Sequence, residues 1–154
     1  MPHISYSELK NWHHCPFYHK LVNINKLKVF EGNEYTAFGT ALHSVCEDLL
    51  TEEVSVPKPE LFNQKFRDEI RKLKSEELNK KLIIDMFEQG GKLSEQVLPS
   101  LEKYFDDCEV FMAEEKLYEP ISGTDDYLFK GYVDLIIKEG DDYHIIDWKT
   151  CSWG

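Results

Sequence analysis

Gly131-Tyr132-Val133-Asp134-Leu135-Ile136-Ile137, followed through Gly140-Asp141 by Tyr143-His144-Ile145-Ile146-Asp147-Trp148-Lys149-Thr150, is the stretch on which the fold turns. Two apolar, β-branched runs flank a glycine-containing pair of the kind that closes a two-residue hairpin. With Gly140-Asp141 as the loop, Glu139 faces Asp142, Ile136 faces Ile145 and Asp134 faces Asp147. Side chains alternate with period two, so Lys149 joins that side opposite Tyr132. Two carboxylates and an ammonium therefore converge on one patch. Like charges facing each other on a sheet are destabilising and Asp is a poor strand former, so the arrangement calls for a compensating cation. Oxygen donors of this hardness suit Mg²⁺ or Mn²⁺. The neighbouring Leu, Ile and Trp residues predict strands buried on both faces, where an unpaired acid would be costly. The alternative is a solvated sheet face carrying an incidental Asp–Lys pair.

Outward from the hairpin, β-rich runs at 109–119, 127–138 and 143–150 form a meander, broken at Ser122-Gly123-Thr124-Asp125 and at Glu139-Gly140-Asp141-Asp142. Residues 60–108 are helical instead, with three patterns: Phe62, Phe66, Ile70, Leu73; then Leu78, Leu82, Ile83, Met86, Phe87; then Leu93, Val97, Leu101, Tyr104, Phe105. Gly90-Gly91 is expected to separate the last two patterns, and Pro99 to kink or restart the third. Phe38, Leu42, Val45 and Leu49 recur at helical spacing and predict a helix over 38–50. Ser5-Tyr6-Ser7-Glu8 has the form of a capping box and opens a short helix before Pro16.

The chain has 154 residues, 42% hydrophobic and 31% charged, which fits one globular domain and excludes a disordered or collagen-like chain. No apolar stretch reaches membrane-spanning length and the start carries no signal peptide, so a cytoplasmic, membrane-free protein is expected. Cys15, Cys46, Cys108 and Cys151 are scattered without a CxxC pair and are read as small buried side chains. The net charge of −11 argues against passive nucleic-acid binding. Residues 1–30 run the other way, with Lys10, Lys20, Lys26 and Lys28 against Glu8 alone, interleaved with Trp12, Phe17 and Tyr18. Such a segment could touch a phosphate backbone and stack on bases. Equally, it could be a core-packing helix with snorkelling lysines.

At the hairpin the sequence resembles the PD-(D/E)XK nuclease superfamily, and within it the RecB-like branch of recombination exonucleases, CRISPR-associated nucleases and phage nucleases. Asp147-Trp148-Lys149 matches the (D/E)XK element, and Gly131-Tyr132-Val133-Asp134 is similar to the branch's G-x-x-D form of the preceding acidic motif, with Val133 where the name has Pro. Gly39-Thr40-Ala41-Leu42-His43 resembles the Gly-x-x-x-His helix. Ser5 through Leu21, with Cys15-Pro16, is similar to the N-terminal segment, and Glu115 falls where the first core strand carries a glutamate. Glu114 competes for that role, since strand alternation puts only one of the two on the site face. Glu47, one helical turn after His43, is expected as a supporting group or as half of a solvated His–Glu pair.

The resemblance implies an α/β (α+β), restriction-endonuclease-like core. It would have a central mixed sheet at 109–150, a motif helix at 38–50, a helical insertion at 60–108 and a basic N-terminal segment at 1–30. The branch continues past D-x-K into a further helix and strand, which 1–154 lacks, so a trimmed or incomplete nuclease domain is expected. The implied function is metal-dependent hydrolysis of DNA. His43, Asp134, Asp147 and the Trp148 carbonyl would bind Mg²⁺ or Mn²⁺, Lys149 would act on the attacking water, and Glu115 would hold a water or a second ion. DNA repair or recombination is the implied setting, with a helicase or recombination protein as partner. Three C-terminal cysteines of the iron–sulfur members are missing, so no cluster is expected. The competing expectation is a catalytically incomplete module that binds DNA ends or a protein.

Overall fold

The computed structural model describes residues 2–27, 31–51, 54–74, 78–105, 107–124 and 126–150. Strand β1 (His3–Ser5), helices α1 (Tyr6–His14) and α2 (Pro16–His19) and a π-helical turn at Lys20–Ile24 come first. Three longer helices follow, α3 (Glu34–Thr51), α4 (Lys58–Arg71) and α5 (Lys80–Tyr104), and then strands β2 (Glu109–Pro120), β3 (Leu128–Glu139) and β4 (Asp142–Ile146). The result is the expected mixed α/β architecture with a mixed sheet, in which β3 lies between β1 and β2 and also pairs with β4. Contacts divide the chain into two units, Met1–Glu31 with Glu114–Val133, and Gly32–Ala113 with Asp134–Gly154.

In the first unit, β1 runs parallel to the start of β3, with Ile4 paired to Phe129. Three residues are too few for a period-two signal, and the sequence gives no warning of this strand. Ser5 caps α1 as its spacing predicts, its hydroxyl accepting the Glu8 N–H at 3.2 Å. The capping box is only half made, because the Glu8 carboxylate reaches His19 Nε2 at 3.0 Å. Cys15 then caps α2, its sulfur accepting the Tyr18 N–H at 3.5 Å, with Pro16 in the first helical turn where its missing N–H costs nothing. No residue of α1 is buried, and Trp12 is 54% exposed. A core-packing helix is thus not what α1 is; polar contacts such as Asn11 to Asn23 at 3.1 Å hold the segment instead.

The second unit is built on α3, α4 and α5. Phe38, Phe62 and Phe66 are buried with Ala41 and Val45, and Phe38 and Phe62 meet edge-on with ring centroids 5.3 Å apart. Contrary to expectation, α5 is one continuous helix through Gly90-Gly91 and Pro99. The reason at Gly90 is packing: a Cβ there would lie 2.0 Å from Phe62 Cζ, so the glycine admits the Phe62 ring rather than ending the helix. Pro99 lies on the exposed side, where water can take the carbonyl that its missing N–H leaves free. Leu101, Leu135 and Ile137 form a second buried cluster, with Leu50, Phe105, Ile146 and Trp148 packed on it.

The hairpin has the expected register, Glu139 with Asp142, Ile136 with Ile145 and Leu135 with Ile146. Gly140 turns it at φ +59°, the positive value that favours glycine at the first turn position. Two expectations fail. Strand β4 stops at Ile146, short of the anticipated 150, and Ile145 is 73% exposed, so the hairpin is buried on one face only. Cys46 is buried, Cys15 and Cys108 are half-buried, and Cys151 lies outside the described residues.

Candidate metal centre at the end of the hairpin

Helix α3 turns Phe38, Ala41 and Val45 into the core, which leaves His43 on the side of the helix away from that stripe, its side chain 29% exposed. One turn earlier, a Cβ at Gly39 would stand 2.9 Å from Thr150 Oγ1, so α3 lies against the segment after β4 at a position that carries no side chain. The Gly-x-x-x-His spacing thereby has a physical content: the glycine permits the approach and the histidine, four residues on, uses it.

Asp134 directly precedes the buried Leu135, and its side chain is 13% exposed. Its Oδ2 accepts the Trp148 N–H at 2.7 Å. Because β4 has ended, this backbone donor has left the ladder, and the Asp134 carboxylate takes the place of a strand partner. The same oxygen lies 3.6 Å from His43 Nδ1, beyond hydrogen-bond length for a nitrogen donor. An imidazole nitrogen and a carboxylate oxygen thus share one small space without being joined to each other.

Cys46, one turn after His43 and 2% exposed, stands behind this pair. Burial, reinforced by the negative charge of Asp134, pushes its thiol up to about 12. Its thiol is not among the groups that converge with His43 and Asp134, so no sulfur donor joins the set. Carboxylate and imidazole donors without thiolate fit Mg²⁺ or Mn²⁺. Cys46 is buried as its sequence reading expects, and its spacing of three from His43 puts it on the adjoining face.

Asp147 and Lys149 pair with each other, Lys149 Nζ to Asp147 Oδ2 at 2.5 Å, with both side chains about two-thirds exposed. The Asp147 carboxylate is not among the groups converging with His43 and Asp134. The register would set it opposite Asp134 only if β4 continued, and β4 does not. Trp148 contributes its N–H, as above, and its ring packs on the Leu135 cluster. Glu47 is half-buried on α3, its backbone carbonyl accepting the Thr51 hydroxyl at 2.8 Å. Glu114 and Glu115 belong to the first unit. Glu114 has φ +50°, which breaks the regular alternation along β2, so alternation does not choose between them. Lys10, Lys20 and Lys26 are exposed in the first unit, and Lys28 lies outside the described residues.

A model of the PD-(D/E)XK nuclease superfamily matches residues 3–153, nearly the whole chain. The chain belongs to this superfamily. PD-(D/E)XK proteins are generally metal-dependent phosphodiesterases acting on nucleic acid, which makes a divalent ion the natural occupant of the His43–Asp134 space. The mixed α/β fold described above agrees with a restriction-endonuclease-like PD-(D/E)XK core. The chain matches no curated protein and no solved structure with significance. Among the described residues, no helix is long and apolar enough to cross a membrane.

Proposed function

We propose that this PD-(D/E)XK chain is a RecB-like DNA exonuclease that uses Mg²⁺ or Mn²⁺. The observation that carries the reading is the Asp134 carboxylate, held by the Trp148 N–H at 2.7 Å and set 3.6 Å from His43 Nδ1. His43 and Asp134 would hold the ion, with Asp147 and the Trp148 carbonyl as further donors from the adjoining segment. When bound, the ion supplies acidification of water and neutralisation of charge at the scissile phosphate. Lys149 would orient the attacking water and stabilise the negative charge that develops at the phosphorus. Attack at phosphorus with departure of the 3′ oxygen leaves 5′-phosphate and 3′-hydroxyl ends. Asp134→Ala should lose both Mn²⁺ binding by calorimetry and cleavage of labelled DNA, whereas Lys149→Ala should keep the metal and lose at least about 10²-fold in cleavage. Unchanged cleavage by either variant in Mg²⁺ would sink the assignment.

The end of β4 at Ile146, with Asp147 and Lys149 paired and exposed, favours a second reading: a catalytically incomplete module that binds DNA ends. Metal and DNA binding by the native chain, with no cleavage of single- or double-stranded substrate, would select it.

A further inference from the structure

The second unit holds a cavity of about 430 Å³ beside the metal centre, with Cys46 and Trp148 in common to the two. Two helix faces form its walls. On α5, Gln89, Leu93, Gln96 and Ser100 recur at spacings of four, three and four; on α3, Tyr35 and Phe38 lead a matching row. Trp148, Lys149 and Thr150 also line it, so the cavity borders residues given the catalytic role above. Its size falls within the range of small-molecule sites.

The lining states what kind of group belongs there. Lys149 is the sole charged side chain among the described residues that line it, and the walls are apolar apart from the two amides and a few hydroxyls. A neutral occupant with apolar faces and hydrogen-bonding edges fits this, provided that any charge it carries sits at the Lys149 end. Side-chain amides pair with base edges through a donor and an acceptor together, and exposed aromatic rings stack on bases whatever their sequence. Tyr35, 58% exposed, is placed to do the latter. A nucleotide unit meets each requirement, with its base between α3 and α5 and its phosphate toward Lys149.

We infer that this cavity is a subsite for one unpaired nucleobase of the DNA substrate. This rests on the nuclease reading of the D-x-K segment. A base seated between the helices cannot be paired, so the substrate is single-stranded DNA or a frayed end.

The test uses the full chain and short single-stranded oligonucleotides, either intact or with one abasic position moved stepwise from the end. Cleavage in Mn²⁺ should fall about tenfold when the abasic position coincides with the subsite, the scale of one lost stacking contact. Leu93→Trp, which fills the cavity from α5, should cleave intact oligonucleotide only at the slow abasic rate and lose the response to base removal. In parallel, binding of an oligonucleotide carrying 2-aminopurine is followed by fluorescence in Ca²⁺. The signal should change with the native chain and not with Leu93→Trp. Cleavage that is indifferent to base removal at every position, or a base response that survives Leu93→Trp, overturns the subsite and leaves the nuclease reading standing. A 2-aminopurine response lost in Leu93→Trp, without any cleavage by the native chain, upholds the subsite and overturns the nuclease reading. Neither cleavage nor a fluorescence change overturns both.

Discussion

Asp134 serves as ligand candidate, as acceptor for a backbone donor and as the charge that Cys46 feels, three roles that follow from one half-buried carboxylate beside a strand end. Removing it therefore does more than subtract a donor, since the Trp148 N–H would be left without its acceptor. The Cys46 thiol registers the same environment as a pH dependence. Its folded-state value is raised from 9.0 to about 12, so the neutral form is the one the fold favours. The resulting stability is intact below pH 9 and is lost as the pH rises toward 12, by up to about 1.4 kcal/mol per pH unit. Urea unfolding of the native chain and of Cys46→Ala across that window should therefore give curves that converge, with the native chain losing stability more steeply. Parallel curves would mean that the thiol does not feel this burial. The burial of Cys46 and its spacing to His43 were legible in the sequence, but the strand end that brings Asp134 near was not.

At the scale of elements, glycines explain both what sequence reasoning caught and what it missed. Gly140 was legible because a two-residue hairpin demands positive φ at that point, and the register followed from it. Gly90-Gly91 was misread as a break because a sequence does not reveal that a Phe62 ring occupies the space of the missing Cβ. The termination of β4 was equally hidden, as Asp147-Trp148-Lys149 keeps the alternation of a strand after the ladder has stopped. Gly39 lets α3 approach Thr150, next to the D-x-K residues. Gly39→Ala should leave thermal stability unchanged or slightly higher, because Ala is the better helix former by about 1 kcal/mol. Cleavage should nevertheless fall about tenfold or more, as the added methyl displaces the catalytic segment. Gly39→Ala with Thr150→Ala should recover most of that loss. If the single variant keeps full activity, the approach at Gly39 is not what sets the segment.

For the whole molecule, the charge of −11 stands against a substrate that is itself a polyanion. The cations are, however, unevenly placed along the chain. Lys10, Lys20 and Lys26 are exposed in the first unit, on a segment whose Trp12 and Phe17 are exposed as well and whose leading helix buries nothing. That surface is legible in the sequence as a local excess of Lys over Glu, but the exposure of its aromatics is not, because Leu9 and Trp12 at helical spacing look the same on a buried stripe. If these lysines take phosphates, each contact releases counterions, and the logarithm of affinity for single-stranded DNA falls with the logarithm of salt by about 0.7 per contact. Replacing Lys10, Lys20 and Lys26 together by Gln should lower that slope by about 2 in metal-free titrations. Metal binding at His43 and Asp134, which these lysines do not supply, should be unchanged in the same protein. A slope equal to that of the native chain would show that the basic segment stays clear of the DNA and that other cations of the chain carry the electrostatic attraction.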